Sequence, residues 1–106
     1  MGKDPWADCP GLQLFQKCTP LFQALGDPAR QQIILLLGYC QQLNVKQITE
    51  QLSLSRPAIS HHLKLLRDAG LVEIQQKGKE NYYSLQVGPA LAQIKQLIAA
   101  IEEELE

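Results

Sequence analysis

The stretch QITEQLSLSRPAISHHLKLLRDAG, residues 47–70, decides the fold. Its first half, QITEQLSLS, reads as a short helix. Asn44 and Gln47 take the cap and third-position roles of a capping box that opens VKQITEQL. Its second half reads as a longer helix, with Ser55 as cap, Arg56 at the start and Pro57 harmless in the first turn. Gly70 stops that helix as a left-handed residue. Ile59, Leu63 and Leu66 recur at spacings of four and three, which makes one face core. Arg56, Ser60, Lys64 and Arg67 recur on another face. Two helices joined by a tight turn form a helix-turn-helix.

Working outward, the period changes after Gly70. LVEIQ and NYYSLQ are short, β-rich and separated by KGKE, a glycine-containing hairpin connection. This ribbon makes a wing behind the helix pair. Upstream, Thr19-Pro20 reads as cap plus first-turn proline for a short helix over LFQAL. Asp27-Pro28 repeats the signal for a helix with Ile33, Leu36 and Leu37 on one face, fading between Tyr39 and Gln42. Gly88-Pro89 starts a last helix on which Leu91, Ile94, Ile98, Ile101 and Leu105 recur at 3, 4, 3, 4, a coiled-coil-like seam. Such a seam packs either on its own domain or on a second copy of the chain, and the second copy is preferred here. The predicted fold is mostly α with a small β-hairpin wing: a winged helix-turn-helix dimerising through terminal helices. The predicted division is an N-terminal arm or extra helix over 1–18, a DNA-binding core over 19–88 and a dimerisation helix over 89–106.

The totals are consistent with one domain of 106 residues. The longest apolar run, Ile33 to Leu37, is far too short to span a bilayer, and MGKDPWADCPG has no apolar signal core. A cytoplasmic location with no membrane partner is expected. Three cysteines with no CxxC or CxC give neither a disulfide framework nor the usual zinc signature. Net charge is −1, an unpromising sum for a nucleic-acid binder. Its distribution is more telling. Residues 55–79 hold Arg56, Lys64, Arg67, Lys77 and Lys79 against Asp68 and Glu73, which is +3, so the rest of the chain carries −4, much of it in EEELE.

The N-terminal residues of a second helix in such a motif reach base edges in the major groove. Arg56 can bond guanine through two donors, Ser60 is adaptable, and the carbons of Pro57 can meet a thymine methyl. Lys64 and Arg67 suit phosphate. Lys77 and Lys79 around Gly78 make a basic wing tip suited to backbone or minor-groove contact. Tyr82 and Tyr83 point to opposite sides of their strand; one belongs to the core and the other, taken as Tyr82, to the DNA face. The chain's two histidines are neighbours. They point about 100° apart on a helix, whereas helical metal pairs use i,i+4 spacing. His61 is therefore expected at the DNA and His62 packed and hydrogen-bonded in the domain, with no metal on either. No nucleophile with base and orienter can be assembled, and no cofactor signature occurs, so no enzyme is expected.

From LFQALGDPARQQIILLL and SLSRPAISHHLKLLRDAGLVEIQQKGKENYYSL, the sequence resembles the ArsR/SmtB family of winged-helix repressors over roughly residues 19–86. The shared pattern is ALGDPxR, a serine-rich helix start, SxHLxxLxxAGLV and a wing ending in YYSL. The resemblance implies a homodimer that binds an imperfect inverted repeat in double-stranded DNA and represses a nearby operon until an effector lowers DNA affinity. That coupling would be reciprocal.

The chain departs from the family at the effector sites. Many members carry CxC where Asn44 and Lys46 stand here. Others ligate zinc with Asp and His on the last helix, yet residues 89–106 contain no Asp, His or Cys. Members that sense sulfur pair a second-helix cysteine with one on the last helix; Cys40 has no such partner. A helix C-terminus also disfavours a thiolate at Cys40. Cys9 and Cys18 remain as candidate sensor thiols, with Asp4 or Asp8 nearby; the alternative is a small buried residue at Cys18 and Cys40 and a stray thiol at Cys9. The effector stays open. The competing function is a winged-helix module that binds protein and not DNA.

Overall fold

The computed structural model describes residues 6–105. Its elements run α1 (Pro10–Leu25), α2 (Pro28–Cys40), β1 (Leu43–Asn44), α3 (Val45–Gln51), α4 (Arg56–Asp68), β2 (Val72–Lys77), β3 (Glu80–Leu85) and α5 (Gly88–Leu105). The caps read from the sequence form. Asp27 accepts from the Arg30 amide, and Ser55 accepts from the Ala58 amide. Asn44 and Gln47 satisfy each other's amides at 2.8 and 2.9 Å in a full capping box. Gly70 follows α4 with φ +77, the left-handed turn that glycine adopts without a Cβ penalty.

One helix start differs from expectation. Thr19 does not cap a helix; α1 begins nine residues earlier and runs through Pro20. The Thr19 hydroxyl instead donates to the Phe15 carbonyl one turn back at 3.1 Å. An interior proline removes a backbone bond and costs about 3 kcal/mol. The burial of Cys18, Leu21 and Ala24 on either side of it offsets that cost by keeping the helix on its neighbours.

The wing also gains a strand. β1 joins the hairpin, giving an antiparallel sheet in the order β1-β3-β2, with Leu43 opposite Tyr83 and Ile74 opposite Tyr83 on the other side. A two-residue strand leaves no periodic signal, so only the hairpin was legible. The hairpin closes between Lys77 and Glu80, and Gly78 takes the positive φ (+64) that short hairpin loops need.

The core lies where α2, α3 and α4 meet. Ile33, Leu37, Ile48, Ile59, Leu63 and Leu66 are buried, joined by Leu21 and Ala24 from α1, Leu71 and Val72 from the wing, and Ala90 from α5. Each such leucine, isoleucine or valine contributes about 1.5–3 kcal/mol by leaving water. α1 and α5 pack antiparallel: Cys9 meets Glu104 at the outer end, and Cys18 meets the Gln93 carbonyl further in. No helix among the described residues is long and apolar enough to cross a membrane.

Candidate nucleic-acid interface

Helix α4 is held from one side only. Ile59, Leu63 and Leu66 are sealed in the core. The opposite face exposes Arg56, Pro57, Ser60, His61, Lys64 and Arg67. No hydrogen bond or ion pair to another side chain engages Arg56, Lys64 or Arg67 among the described residues. Three cationic groups thus stand free in water on one helix face, without the intrachain partners that usually neutralise such a row.

The two histidines part as expected. Their ring centroids lie 6.1 Å apart at an interplanar angle of 52°. His61 is exposed, while His62 turns back toward α2. There Arg30 Nη1 donates to His62 Nδ1 at 3.2 Å. A guanidinium can only donate, so Nδ1 is the acceptor and the ring proton sits on Nε2. Asp27 Oδ2 lies 4.0 Å from the same Nδ1. That is beyond hydrogen-bonding reach, and an Nδ1 accepting from Arg30 cannot also donate to Asp27. We therefore read the pair as an arginine–imidazole hydrogen bond beside a carboxylate, not as a histidine salt bridge. Asp27 is held below its ordinary carboxylate value, chiefly because its oxygen accepts from the Arg30 amide, with the Arg30 charge adding to this against some desolvation.

The wing lysines differ from each other. Lys79 is exposed in the loop. Lys77 is tethered: its Nζ donates to Gln42 Oε1 at 2.6 Å and lies 5.5 Å from the centre of the Tyr82 ring. Gln42 also donates to Gln75 across the sheet at 3.3 Å. Tyr82 is half-buried beneath Lys77, and Tyr83 packs on the core. Sequence reasoning missed Gln42 and Arg30. Gln42 carries no local signal, because its partners lie 33 and 35 residues away. Arg30 stands three residues after the Asp27 cap, a spacing that places its amide on Asp27 but says nothing of where its side chain goes. The sequence also left out Lys46, which is exposed on α3.

The seam on α5 divides. Leu91, Ile98 and Leu105, seven residues apart, are exposed, whereas Ile94 packs on the core and Ile101 is half-buried. On α1, Phe15 and Phe22, also seven apart, are more than two-fifths exposed. A heptad-spaced apolar row thus lines each of the two antiparallel helices.

The candidate thiols are not brought together. Cys18 is fully buried, with its Sγ 3.7 Å from the Gln93 carbonyl. Cys9 is partly exposed at the cap of α1, with Sγ 3.8 Å from Glu104 Oε1. Nine positions along one helix separate the two by about 13 Å, well beyond the roughly 7 Å limit for a disulfide. Asp8 is exposed, and Asp4 lies outside the described residues. Cys40, expected to be a small buried residue like Cys18, is instead exposed, because it stands at the last position of α2 beyond the core. Among the described residues, no three His, Cys, Asp or Glu side chains cluster as a metal site would require. Asn44, at one position of the family's CxC, is buried and committed to capping α3.

A recognition helix with a free basic face, set on a three-helix core and followed by a wing, defines a winged helix-turn-helix DNA-binding protein. Residues 27–73 match the bacterial regulatory proteins of the arsR family. The chain is 32% identical over 92 residues to an uncharacterized HTH-type transcriptional regulator of Methanocaldococcus jannaschii, spanning 87% of this chain and 99% of that protein. It is 38% identical over 65 residues to the transcriptional repressor SdpR of Bacillus subtilis, 61% of this chain and 71% of that one. Among solved structures, an ArsR-like transcriptional regulator from Rhodococcus sp. RHA1 superimposes with a TM-score of 0.78 at 29% identity, covering 89% of this chain and 84% of the other. The chain belongs to the ArsR family and is a DNA-binding transcriptional regulator of that type.

Proposed function

We propose that the chain is a repressor that binds an imperfect inverted repeat as a homodimer. The observation that carries this reading is the cationic face of α4, where Arg56, Lys64 and Arg67 have no side-chain partner among the described residues. In this reading Arg56 and Ser60 read base edges, with His61 and Pro57 beside them. Lys64, Arg67, Lys77 and Lys79 meet phosphate, and Tyr82 supports the wing contact. Leu91, Ile98 and Leu105 meet the partner copy with Phe15 and Phe22, and Ile94 and Ile101 back them from within. A dimer presents two copies of α4, and two half-sites one helical turn apart, about 34–36 Å, match that symmetry. Repression follows if the site overlaps a promoter.

For an effector, the separation of the thiols favours Cys9 acting apart from Cys18. Buried Cys18 is a packing residue in this reading, and Cys9 is the thiol open to reagents. The relatives' names give no support to a module that binds protein alone.

The test is an anisotropy titration of the protein onto duplexes from its own upstream region and onto scrambled duplexes of equal length. It is run with thiols reduced and again after mild oxidation. A preference of at least a hundredfold for one upstream duplex, at a stoichiometry of two chains per site, is expected. Equal affinity for all duplexes refutes the repressor reading. Loss of the preference on oxidation in wild type, but not in Cys9→Ser, assigns the switch to Cys9.

A further inference from the structure

We propose that Arg30 is a positioning residue for the recognition helix, acting through His62. The inference rests on the DNA-binding reading above and deepens it. Arg30 spreads its guanidinium over three acceptors on two elements. Nε donates to the Ala24 carbonyl at 2.8 Å, and Nη2 donates to the Gln23 carbonyl at 3.0 Å. These two carbonyls belong to the last turn of α1, where acceptors run short of helical donors; that of Gln23 accepts also from the Gly26 amide at 3.4 Å. Nη1 donates to His62 on α4 at 3.2 Å. The Arg30 backbone amide meanwhile donates to Asp27, the cap of its own helix. One residue therefore fastens the end of α1 and the middle of α4 through its side chain and the start of α2 through its amide.

The remaining hold on α4 is apolar. Ile59, Leu63 and Leu66 fix its depth in the core, but apolar burial is non-directional and tolerates small rotations and slides. A hydrogen bond to a planar fork is directional. It is made by the residue next to His61 and two from Ser60, both on the exposed reading face. Base-edge readout demands placement to roughly 0.5 Å. The Arg30–His62 bond is the directional contact that sets this placement, and it refers α4 to the end of α1. The ionisable groups around it are Asp27 on the α1–α2 turn, His61 on α4, and Asp68, which lines an open cavity of about 390 Å³ with Arg30. Among the described residues, the α1 groups that hydrogen-bond the guanidinium are the Gln23 and Ala24 carbonyls.

The test compares Arg30→Gln, Arg30→Lys, His62→Leu, His62→Asn and the Arg30→Gln/His62→Leu double variant. The readout is specificity: affinity for a duplex selected from a randomised pool by the wild-type protein, divided by affinity for an unrelated duplex. Assays run well below each variant's melting temperature. Arg30→Gln and His62→Leu are each expected to lower the ratio on the order of tenfold. Arg30→Lys falls with them, since one ammonium cannot span three acceptors. His62→Asn keeps the ratio, because its Oδ1 stands near the place of Nδ1 and accepts from Arg30. The double variant is no worse than either single one, as expected of two ends of one contact. The dependence on salt is unchanged throughout, because neither residue meets phosphate.

A wild-type ratio in Arg30→Gln overturns the inference. So does full additivity of the two losses, or a shallower salt slope that would make Arg30 a phosphate contact. If Arg30→Gln does not fold, the His62→Leu and His62→Asn pair decides alone: equal losses overturn the inference and make the imidazole itself the DNA contact. A wild-type chain that enriches no duplex fails at the selection step and overturns the DNA reading together with this one.

Discussion

Replacing Lys64 by Ala separates phosphate contacts from base contacts in a way the geometry predicts quantitatively. Each phosphate neutralised adds about 0.9 to the slope of log affinity against log salt. Lys64 is exposed and has no intrachain partner, so its ammonium reaches phosphate without giving up another contact. A dimer loses two contacts, and its slope becomes shallower by about 1.8. Between 50 and 200 mM salt the wild type then loses about twelvefold more affinity than the variant does. Lys77→Ala makes a contrast. Lys77 must leave Gln42 at 2.6 Å and the Tyr82 ring before it meets phosphate, so the slope change is under half that of Lys64→Ala. Arg56→Ala differs in kind. It removes a bidentate base contact worth about 1–3 kcal/mol in each half-site, so specific affinity drops while the slope stays put. The assay is fluorescence anisotropy over a salt series on one selected duplex. Equal slope changes for Lys64→Ala and Lys77→Ala would refute the reasoning, as would a slope change in Arg56→Ala.

Further outcomes follow from single contacts. Ile98→Glu places a carboxylate in the exposed row of α5; sedimentation velocity should show a folded monomer at concentrations where wild type is dimeric, because an unpaired charge in an apolar interface costs several kcal/mol. Pro20→Ala restores a backbone donor inside α1 and should stabilise the chain by about 2 kcal/mol, after the extra freedom of the unfolded chain is subtracted, with a thermal midpoint higher by on the order of 10 °C. Asp27 has a lowered folded-state value, so its contribution to stability is present above its ordinary value of 3.8 and is lost as pH falls through the lower folded value. Asp27→Asn keeps a capping acceptor but cannot titrate; denaturant melts should show a deficit against wild type at neutral pH that closes in this acid window. A thiol reagent should modify Cys9 and Cys40 in the folded protein and reach Cys18 only at the rate of unfolding.

What the sequence disclosed and what it withheld divide along a physical line. Caps and periodic faces are local, and they were legible. Asp27, Asn44 with Gln47, and Ser55 each act on an amide within three residues, and Ile59, Leu63 and Leu66 declare the buried side of α4 by spacing alone. The side assigned to His61 and His62 was legible for the same reason. Thr19-Pro20 misled because its local signal is genuine, and only packing against a distant helix makes α1 continue through it. Gln42, and the side chain of Arg30 where it meets His62, act across 32 to 35 residues, and no spacing rule reaches that far.

The same division separates two parts of the candidate interface. The groups that would touch DNA are surface residues on one helix face and one loop, written in sequence as a row of charges. The groups that aim them are tertiary. Lys77 is aimed by Gln42 from the link between α2 and β1, and α4 is aimed by Arg30 from the first turn of α2. A side chain on α2 and one just beyond its end therefore each grip a part of the DNA-facing surface. α2 contacts α1 as well as α4 and β3, and α1 lines the apolar rows that a second copy would cover. A shift of α1 against α2 would then reach the reading face through Arg30, with no ligand near the DNA.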